Sequence, residues 1–176
     1  MTLGNGIDFL LEGASDMLLI PGNKFALTRR VLIGATLLCG LDASADRTTL
    51  PSAKSLHKEL TLALRSGHPL LVLVSLDGCP FCKLVRENYL DPMRTGRAQP
   101  MVQIDMKSSA SVQGFKGEIF THDGLAREWN VTLAPTVLFF GRAGAEIAPR
   151  LVGFASPDYY GASLDRRLEQ ARAVMR

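Results

Sequence analysis

The feature that most constrains the fold is an apolar run that leads directly into two closely spaced cysteines. The run "LLVLVSL", Leu70–Leu76, contains β-branched residues and lies between Pro69 and Gly78. A short, continuous apolar run with such boundaries predicts a strand that is buried on both faces. The sequence "CPFC" at 79–82 follows, and the pattern then continues as a helix. The chain therefore predicts a central strand, a turn and a helix that begins at the cysteines.

The rest of the chain predicts alternating helices and strands around this unit. Leucines spaced four apart after a cap at Ser52 or Ser55 predict a helix that ends at Gly67, and the alternating segment Met101–Met106 predicts a second strand. The order is α-β-α-β-α-β-β-α, with a helix break at Pro92 and a polar loop at 107–121. The further elements are a helix from Thr121 or Asp123 through Trp129, strands at Pro135–Phe140 and 146–153 joined by the turn Gly141–Gly144, and a helix from Ser156 to about Val174.

The N-terminal part contains the components of a secretory signal in their usual order. A basic pair at 29–30 precedes the apolar stretch Val31–Leu41, and small residues follow up to Ala45. This order predicts export and cleavage after Ala45. The apolar stretch is shorter than the roughly 20 residues that a membrane-spanning helix needs. We therefore predict an N-terminal extension and signal peptide at 1–45 and a single domain at 46–176.

The signal segment leaves alternatives open. Arg29 and Arg30 before apolar residues resemble a twin-arginine signal, whereas a basic pair is also common in ordinary Sec signals. Residues 1–23 show no sustained periodicity, so translation begins either at the first residue, with a long extension, or later, for instance at Met17. The alternative that Val31–Leu41 is a core helix of a cytosolic protein leaves the Ala-x-Ala ending unexplained.

The charge distribution gives no indication of a nucleic-acid-binding protein. The formal net charge is only +3, and the lysines and arginines are scattered along the chain. They neither gather into a stripe nor alternate with aromatic residues, as a nucleic-acid surface would require. We therefore expect no nucleic-acid partner.

Removal of the signal would leave two of the three cysteines in the mature protein. Cys39 lies within the signal, so the mature chain keeps only Cys79 and Cys82, in an oxidising compartment. Two cysteines separated by two residues fit a redox pair, half of a zinc site or a structural disulfide. A bridge that closes so short a loop gains little entropy, and zinc would need further ligands. The redox pair is favoured, because there is no second cysteine pair and the histidines lie singly at His57, His68 and His122.

The cysteine spacing suits thiol–disulfide exchange, in which a thiolate is the attacking species. If Cys79 is the N-cap and Pro80 the first helical residue, unpaired N–H groups and the positive end of the helix dipole favour a negative sulfur on Cys79. The two intervening residues place Cys82 one turn further on, within reach of a disulfide. Cys79 is then the nucleophile, Cys82 resolves the mixed disulfide, and Phe81 is exposed between them to contact substrate.

With these features in this order, residues 46–176 resemble the thioredoxin fold. The resemblance rests on the cysteine motif between a buried strand and a helix, on "VTLAPT" at 131–136 before a hairpin, and on the final helix. It implies a four-to-five-stranded mixed sheet flanked by helices. It also implies a cis bond between Ala134 and Pro135 that faces the cysteines, where an extended substrate pairs along the backbone. The insertion at 107–121 is similar to that of periplasmic thioredoxin-related proteins such as the thioredoxin of sulfur-oxidation operons.

The resemblance also implies an activity and partners. It implies an exported thiol–disulfide oxidoreductase that reduces disulfides of periplasmic proteins and receives electrons from a membrane protein. Such a protein acts as a monomer and needs no metal and no cofactor besides its own Cys79–Cys82 couple. The alternatives are a periplasmic disulfide oxidase or isomerase, and a thioredoxin-like Cu(I) chaperone whose two thiolates hold the metal.

Several positions depart from the pattern of thioredoxins. Gly78 replaces the tryptophan before the first cysteine, and the residues between the cysteines are not Gly-Pro. Leu73 takes the place of a buried carboxylate whose lysine partner falls at about Met101, so the proton relay attributed to that pair is absent or supplied otherwise. Asp77 and Asp105 are expected to be solvated, with a role in moving protons at the second cysteine as the alternative. Since no histidine or lysine separates the cysteines, we expect a couple less oxidising than the Dsb-type oxidases.

Overall fold

The structure is a computed structural model that describes residues 50–176. Within them the predicted α/β architecture is confirmed, with a mixed sheet flanked by helices. The predicted signal segment and its cleavage position at Ala45 lie outside the described residues. In the described range, no helix combines the length and the apolar character needed to cross a lipid bilayer.

A four-stranded mixed sheet forms the centre of the domain. Along the chain the strands are β1 (Leu70–Leu76), β2 (Met101–Met106), β3 (Ser111–Gln113), β4 (Ile119–Thr121), β5 (Thr136–Phe140) and β6 (Glu146–Val152). The central sheet has the order β2-β1-β5-β6. β1 is parallel to β2 and antiparallel to β5, and β6 is antiparallel to β5. β1 and β5 lie inside the sheet and are buried along almost their whole length, which explains their continuous apolar sequences.

Helices cover both faces of this sheet. They are α1 (Leu56–Arg65), α2 (Pro80–Val85), α3 (Asp91–Gly96), α4 (His122–Glu128) and α5 (Pro157–Met175). Ser55 caps α1 by accepting a hydrogen bond from the N–H of Lys58 at 3.3 Å, and Thr121 caps α4 in the same way from Gly124 at 3.0 Å. Ser156 precedes α5, at the predicted boundary.

The alternation of side chains along β1 divides them between two apolar clusters. Leu71 and Leu73 pack on the face covered by α2, α3 and α5, whereas Val72 and Val74 pack on the face covered by α1 and α4. The side chains of β5 alternate between the same two clusters. Both faces of the sheet are therefore buried, and β1 is held between two cores.

The segment at 107–121, predicted as a loop, contains a small antiparallel sheet formed by β3 and β4. The N–H of Gly114 donates to the carbonyl of Glu118 at 2.8 Å, and Gly117 has a φ of +98°, which glycine adopts without steric cost. Val112 is buried, while the residues on either side of it are more exposed. Strands of three residues carry too little alternation for sequence analysis to detect.

The helix break predicted at Pro92 is wrong. After α2 the chain continues as a π-helical turn, Arg86–Leu90, and then directly as α3. Proline lacks an N–H group, but Pro92 lies in the first turn of α3, where that donor is not required. The helical segment that begins at Pro80 therefore extends to Gly96.

Candidate active site

Cys79 stands at the start of α2 because β1 ends in a tight turn just before it. Gly78 has a φ of +70°, in the left-handed region that glycine adopts without steric cost. The N–H of Cys79 donates to the carbonyl of Leu76 at 3.2 Å and closes the turn. Cys79 is the N-cap residue, and Pro80 occupies the first helical position, where its missing N–H costs nothing.

Cys79 and Cys82 form a disulfide across one turn of α2. Their Cα atoms are 5.3 Å apart, and the N–H of Cys82 donates to the Sγ of Cys79 at 3.1 Å. Cys82 is completely buried, whereas Cys79 is partly exposed. A thiol or disulfide in solution can therefore reach the sulfur of Cys79 but not that of Cys82.

The start of α2 favours negative charge on the sulfur of Cys79 once the disulfide is reduced. N–H groups in the first turn of a helix have no acceptor within the helix, and the helix dipole is positive at this end. The N–H of Cys82 is already directed at the sulfur. Because the thiolate is the reactive form of cysteine, this environment makes Cys79 the more reactive of the two thiols.

The segment before β5 lies at the same end of the sheet as the cysteines. Thr136 pairs with Val74, so Pro135 lies beside the end of β1 that leads into the cysteine motif. The peptide bond between Ala134 and Pro135 is cis. The carbonyl of Pro135 accepts a hydrogen bond from the N–H of Gly153 at 2.7 Å, which ties this segment to the end of β6.

An aromatic row connects the surface of the site with the core. Phe81, between the cysteines, is 53% exposed, as predicted, and its ring stacks on Phe154 with 5.8 Å between centroids. Phe154 in turn lies 5.2 Å from the ring of Tyr160, which is buried. Phe81 thus presents an apolar surface next to Cys79 and is supported from behind by other rings.

A polar cavity of about 1340 Å³ borders Cys79. Helix α2 contributes Lys83 to its wall, the π-helical turn after α2 contributes Arg86, and β2 contributes Gln103 and Asp105. Charged groups of both signs therefore face the space beside the exposed sulfur. Among residues 50–176, no group of three or more His, Cys, Asp and Glu side chains is arranged to hold a metal ion.

A chain of hydrogen bonds runs along the wall of this cavity. Nη1 of Arg86 donates to Oε1 of Gln103 at 2.7 Å, and Nε2 of Gln103 donates to Oδ1 of Asp105 at 2.6 Å. The backbone N–H of Asp105 donates to Nδ1 of His122 at 3.1 Å. A neutral His122 ring therefore carries its hydrogen on Nε2, which donates to the carbonyl of Ala53 at 2.9 Å. These hydrogen bonds link the π-helical turn after α2 to β2 and α4.

Burial and hydrogen bonding have opposite effects on the pKa values of Asp105 and His122, the two ionisable groups at the end of this hydrogen-bond chain. Burial raises the pKa of Asp105, but the contacts with His122 and Gln103 and the charge of Arg86 together lower it below its ordinary value of 3.8. The interaction with Asp105 raises the pKa of His122 above 6.5, against the effect of burial. Nδ1 of His122 lies 3.8 Å from Oδ2 of Asp105, so protonation of Nδ1 would place a positive charge beside this carboxylate.

The sequence predicted the cysteine pair but not the hydrogen bonds that join Arg86, Gln103, Asp105 and His122. The expectation that Asp105 is solvated is wrong, because its side chain is only 30% exposed and is hydrogen-bonded. His122, which has no neighbouring histidine or cysteine in the sequence, is buried at the start of α4 and contacts Asp105. The available signal was in β2, where Gln103 and Asp105 are two residues apart and so lie on one face. Asp77 is exposed, as expected.

The sequence matches the profile of one protein family over most of the described domain. The profile of the thioredoxin-like domain matches residues 56–168. A search of curated proteins found no significant match. Among solved structures, thioredoxin O2 from Arabidopsis thaliana is similar, with 15% identity and a TM-score of 0.45 over 66% of this chain and 95% of that chain.

Two further solved structures are similar at the same level. The periplasmic thioredoxin SoxS from Paracoccus pantotrophus, in its reduced form, has 19% identity and a TM-score of 0.41 over 58% of this chain and 98% of that chain. The C-terminal domain of DsbD from Neisseria meningitidis, in its oxidised form, has 18% identity and a TM-score of 0.44 over 62% of this chain and 90% of that chain.

The contact between Asp105 and His122 predicts a bell-shaped pH dependence of its contribution to stability. The lowered pKa of Asp105 gives stability that is fully present above pH 3.8 and is lost as the pH falls through the folded-state pKa. The raised pKa of His122 gives stability that is fully present below pH 6.5 and is lost as the pH rises through its folded-state pKa. Asp105→Asn should therefore lower the free energy of unfolding most between these two values, as measured by denaturant unfolding at a series of pH values.

Asp77→Asn is the matched control, because Asp77 is exposed on the wall of the same cavity. Its unfolding free energy should follow that of the unmodified protein at every pH. A loss of stability in Asp105→Asn that is the same at all pH values would contradict the charged contact with His122.

Proposed function

The chain belongs to the thioredoxin-like domain family, and we propose that it is an exported thiol–disulfide oxidoreductase that reduces disulfides of periplasmic proteins. The family match confirms the predicted thioredoxin fold, and the Cys79–Cys82 disulfide agrees with the oxidoreductase activity of that family. The observation that carries the proposal is the difference between the two cysteines. Cys79 caps α2 and is partly exposed, while Cys82 is completely buried one turn behind it.

In the proposed reaction the reduced protein attacks a substrate disulfide in two steps. The thiolate of Cys79 bonds to one substrate sulfur, the substrate S–S bond breaks, and the other substrate sulfur leaves and takes up a proton. Cys82 then loses its proton and attacks the sulfur of Cys79. The Cys79–Cys82 bond forms, the second substrate sulfur leaves as a thiol, and two electrons have passed to the substrate. Because Cys82 is buried, it reacts only with a sulfur that is already bonded to Cys79.

The proposed substrate contacts lie around the exposed sulfur. Phe81 offers an apolar ring beside Cys79, which supports a contact with apolar side chains of a protein substrate. The backbone of Ala134 and Pro135 is next to the end of β1, which supports pairing with an extended substrate segment at that position. These contacts would orient the substrate disulfide toward Cys79.

The proposed cellular setting follows from the N-terminal sequence. The signal pattern at 1–45 supports export through the Sec or the twin-arginine route and cleavage near Ala45. An exported reductase consumes its dithiol in every cycle and needs a thiol donor outside the cytosol, so we assign this role to a membrane protein. The domain then acts as a monomer, with its own cysteine couple as the redox group.

The Cys82→Ser variant should accumulate mixed disulfides with its substrates. Cys79 still attacks in this variant, but no second thiol is present to release the bound substrate. Non-reducing electrophoresis of the variant purified from its host should show covalent adducts that disappear on addition of a reductant. Cys79→Ser is the matched control and should form none. If Cys82→Ser forms no adducts, the proposed activity is wrong.

The reduction potential should lie closer to that of thioredoxin, about −270 mV, than to that of DsbA, about −120 mV. The reason is that the two residues between the cysteines add no positive charge to stabilise the thiolate of Cys79. Equilibration with glutathione mixtures measures the potential. Phe81→His should make it more oxidising by roughly 30 mV, which corresponds to about 1.4 kcal/mol, while Phe81→Leu should leave it nearly unchanged. A potential near that of DsbA would instead favour the oxidase alternative.

The exported form should begin near Asp46. Mass spectrometry of the protein isolated from the periplasm of a host that carries the full gene measures this directly. Replacement of both Arg29 and Arg30 by lysine should block export through the twin-arginine route, which requires the arginine pair, but not through Sec, which requires only positive charge. A protein that keeps residues 1–45 and stays in the cytosol would refute the predicted location.

A further inference from the structure

We propose that Arg86 is a positioning residue for the second step of the reaction, in which it favours formation of the Cys82 thiolate. This inference rests on the proposed function, because it concerns the attack of Cys82 on the mixed disulfide. Cys82 is completely buried, and burial disfavours the charged form of a thiol. The step therefore depends on a positive potential near the sulfur.

Arg86 lies one helical turn after Cys82. Its backbone N–H donates to the carbonyl of Cys82, so the two residues are connected by the hydrogen bond of that turn. Its side chain is half-buried and lines the same cavity as Cys79. A charge in partly buried surroundings acts more strongly on its neighbours than one in bulk water does. Since residues four apart lie on the same face of a helix, Arg86 is on the face of the helix that carries Cys82.

The charge of Arg86 is held in place without a direct ion pair, although it also acts on Asp105. Nη1 donates to the neutral amide of Gln103 at 2.7 Å, and this amide in turn donates to Asp105. The amide thus stands between the guanidinium and the carboxylate. Within residues 50–176, Arg86 forms no salt bridge. A fixed positive charge that has no direct ion pair can stabilise a nearby anion without any reorganisation at the moment of reaction.

The other charged groups around the cavity are less suited to this role. Lys83, Asp77 and Glu87 line the cavity but are exposed, so solvent and salt screen them. Among the nearby strand residues, Leu73 and Val137 are apolar. Asp105 on the cavity wall is negative, and its carboxylate accepts a hydrogen bond from Gln103. In the mixed disulfide Cys79 is covalently bonded and uncharged, so before the attack the negative charge of this step forms on Cys82, and it passes to the substrate sulfur as that sulfur leaves.

The experiment follows both steps of the reaction in the same reduced protein. An aromatic disulfide reagent releases one coloured thiol when Cys79 attacks it and a second when Cys82 resolves the mixed disulfide. Rapid mixing at a series of pH values gives the rate of each release. The first release reports on Cys79 and the second on Cys82.

We expect Arg86→Met to slow the second release near neutral pH about tenfold, the effect of one pKa unit, and to shift its pH profile to higher pH. The first release should change by less than about twofold. Arg86→Lys keeps the charge and should recover most of the rate of the second release. Gln103→Leu removes the hydrogen-bond acceptor that fixes Arg86 and should give an intermediate rate. Arg142→Met, in the exposed turn after β5, is the matched control and should react like the unmodified protein.

Two results would overturn this role of Arg86. One is an unchanged pH profile of the second release in Arg86→Met. The other is an Arg86→Lys variant as slow as Arg86→Met, or a loss of rate that persists at alkaline pH, because both indicate structural damage rather than a lost charge. If instead the unmodified protein shows no first release, or Cys82→Ser still shows a second one, the proposed two-step function itself is wrong.

Discussion

The geometry of the site depends on the pairing of β1 with a strand on each side. β1 is hydrogen-bonded to β2 along one edge and to β5 along the other, and its side chains enter both apolar clusters. The end of such a strand cannot shift without breaking both sets of contacts, so the turn at Gly78 and the start of α2 are fixed in space. The pairing of Val74 with Thr136 brings Pro135 to the same place. The apolar sequence Leu70–Leu76 therefore determines where the cysteines stand, although none of its residues reacts.

The elements that could be predicted from the sequence are those whose pattern is long and local. β1 and β2 have the predicted bounds, and β5 begins one residue later, because five to seven apolar or alternating residues identify a strand without further information. The helices α1 and α5 each combine a boundary residue with regularly spaced leucines. The cysteine pair belongs to the same class, since both sulfurs are on one turn of one helix and the spacing alone brings them together.

The features that could not be predicted depend on short elements or on contacts between distant residues. β3 and β4 have three residues each, and the helix passes Pro92 because a π-helical turn comes first. The polar chain joins Arg86 to Gln103 and Asp105 to His122, and each pair is 17 residues apart in the sequence. The sequence predicts a solvated strand end at Asp105 because nothing near it in the chain indicates that Arg86 and His122 lie beside that strand. Only the folded arrangement shows that its carboxylate has specific partners.

The aromatic row behind Phe81 affects how firmly the surface beside the cysteines can hold another molecule. An exposed ring that turns freely must give up that freedom when a partner covers it, and this loss subtracts from the gain of burying apolar area. The ring of Phe81 already rests on Phe154, which rests on the buried Tyr160. The Phe81 ring has therefore already lost conformational entropy during folding. A hydrophobic group that binds there is opposed by a smaller entropy loss than at a freely rotating ring.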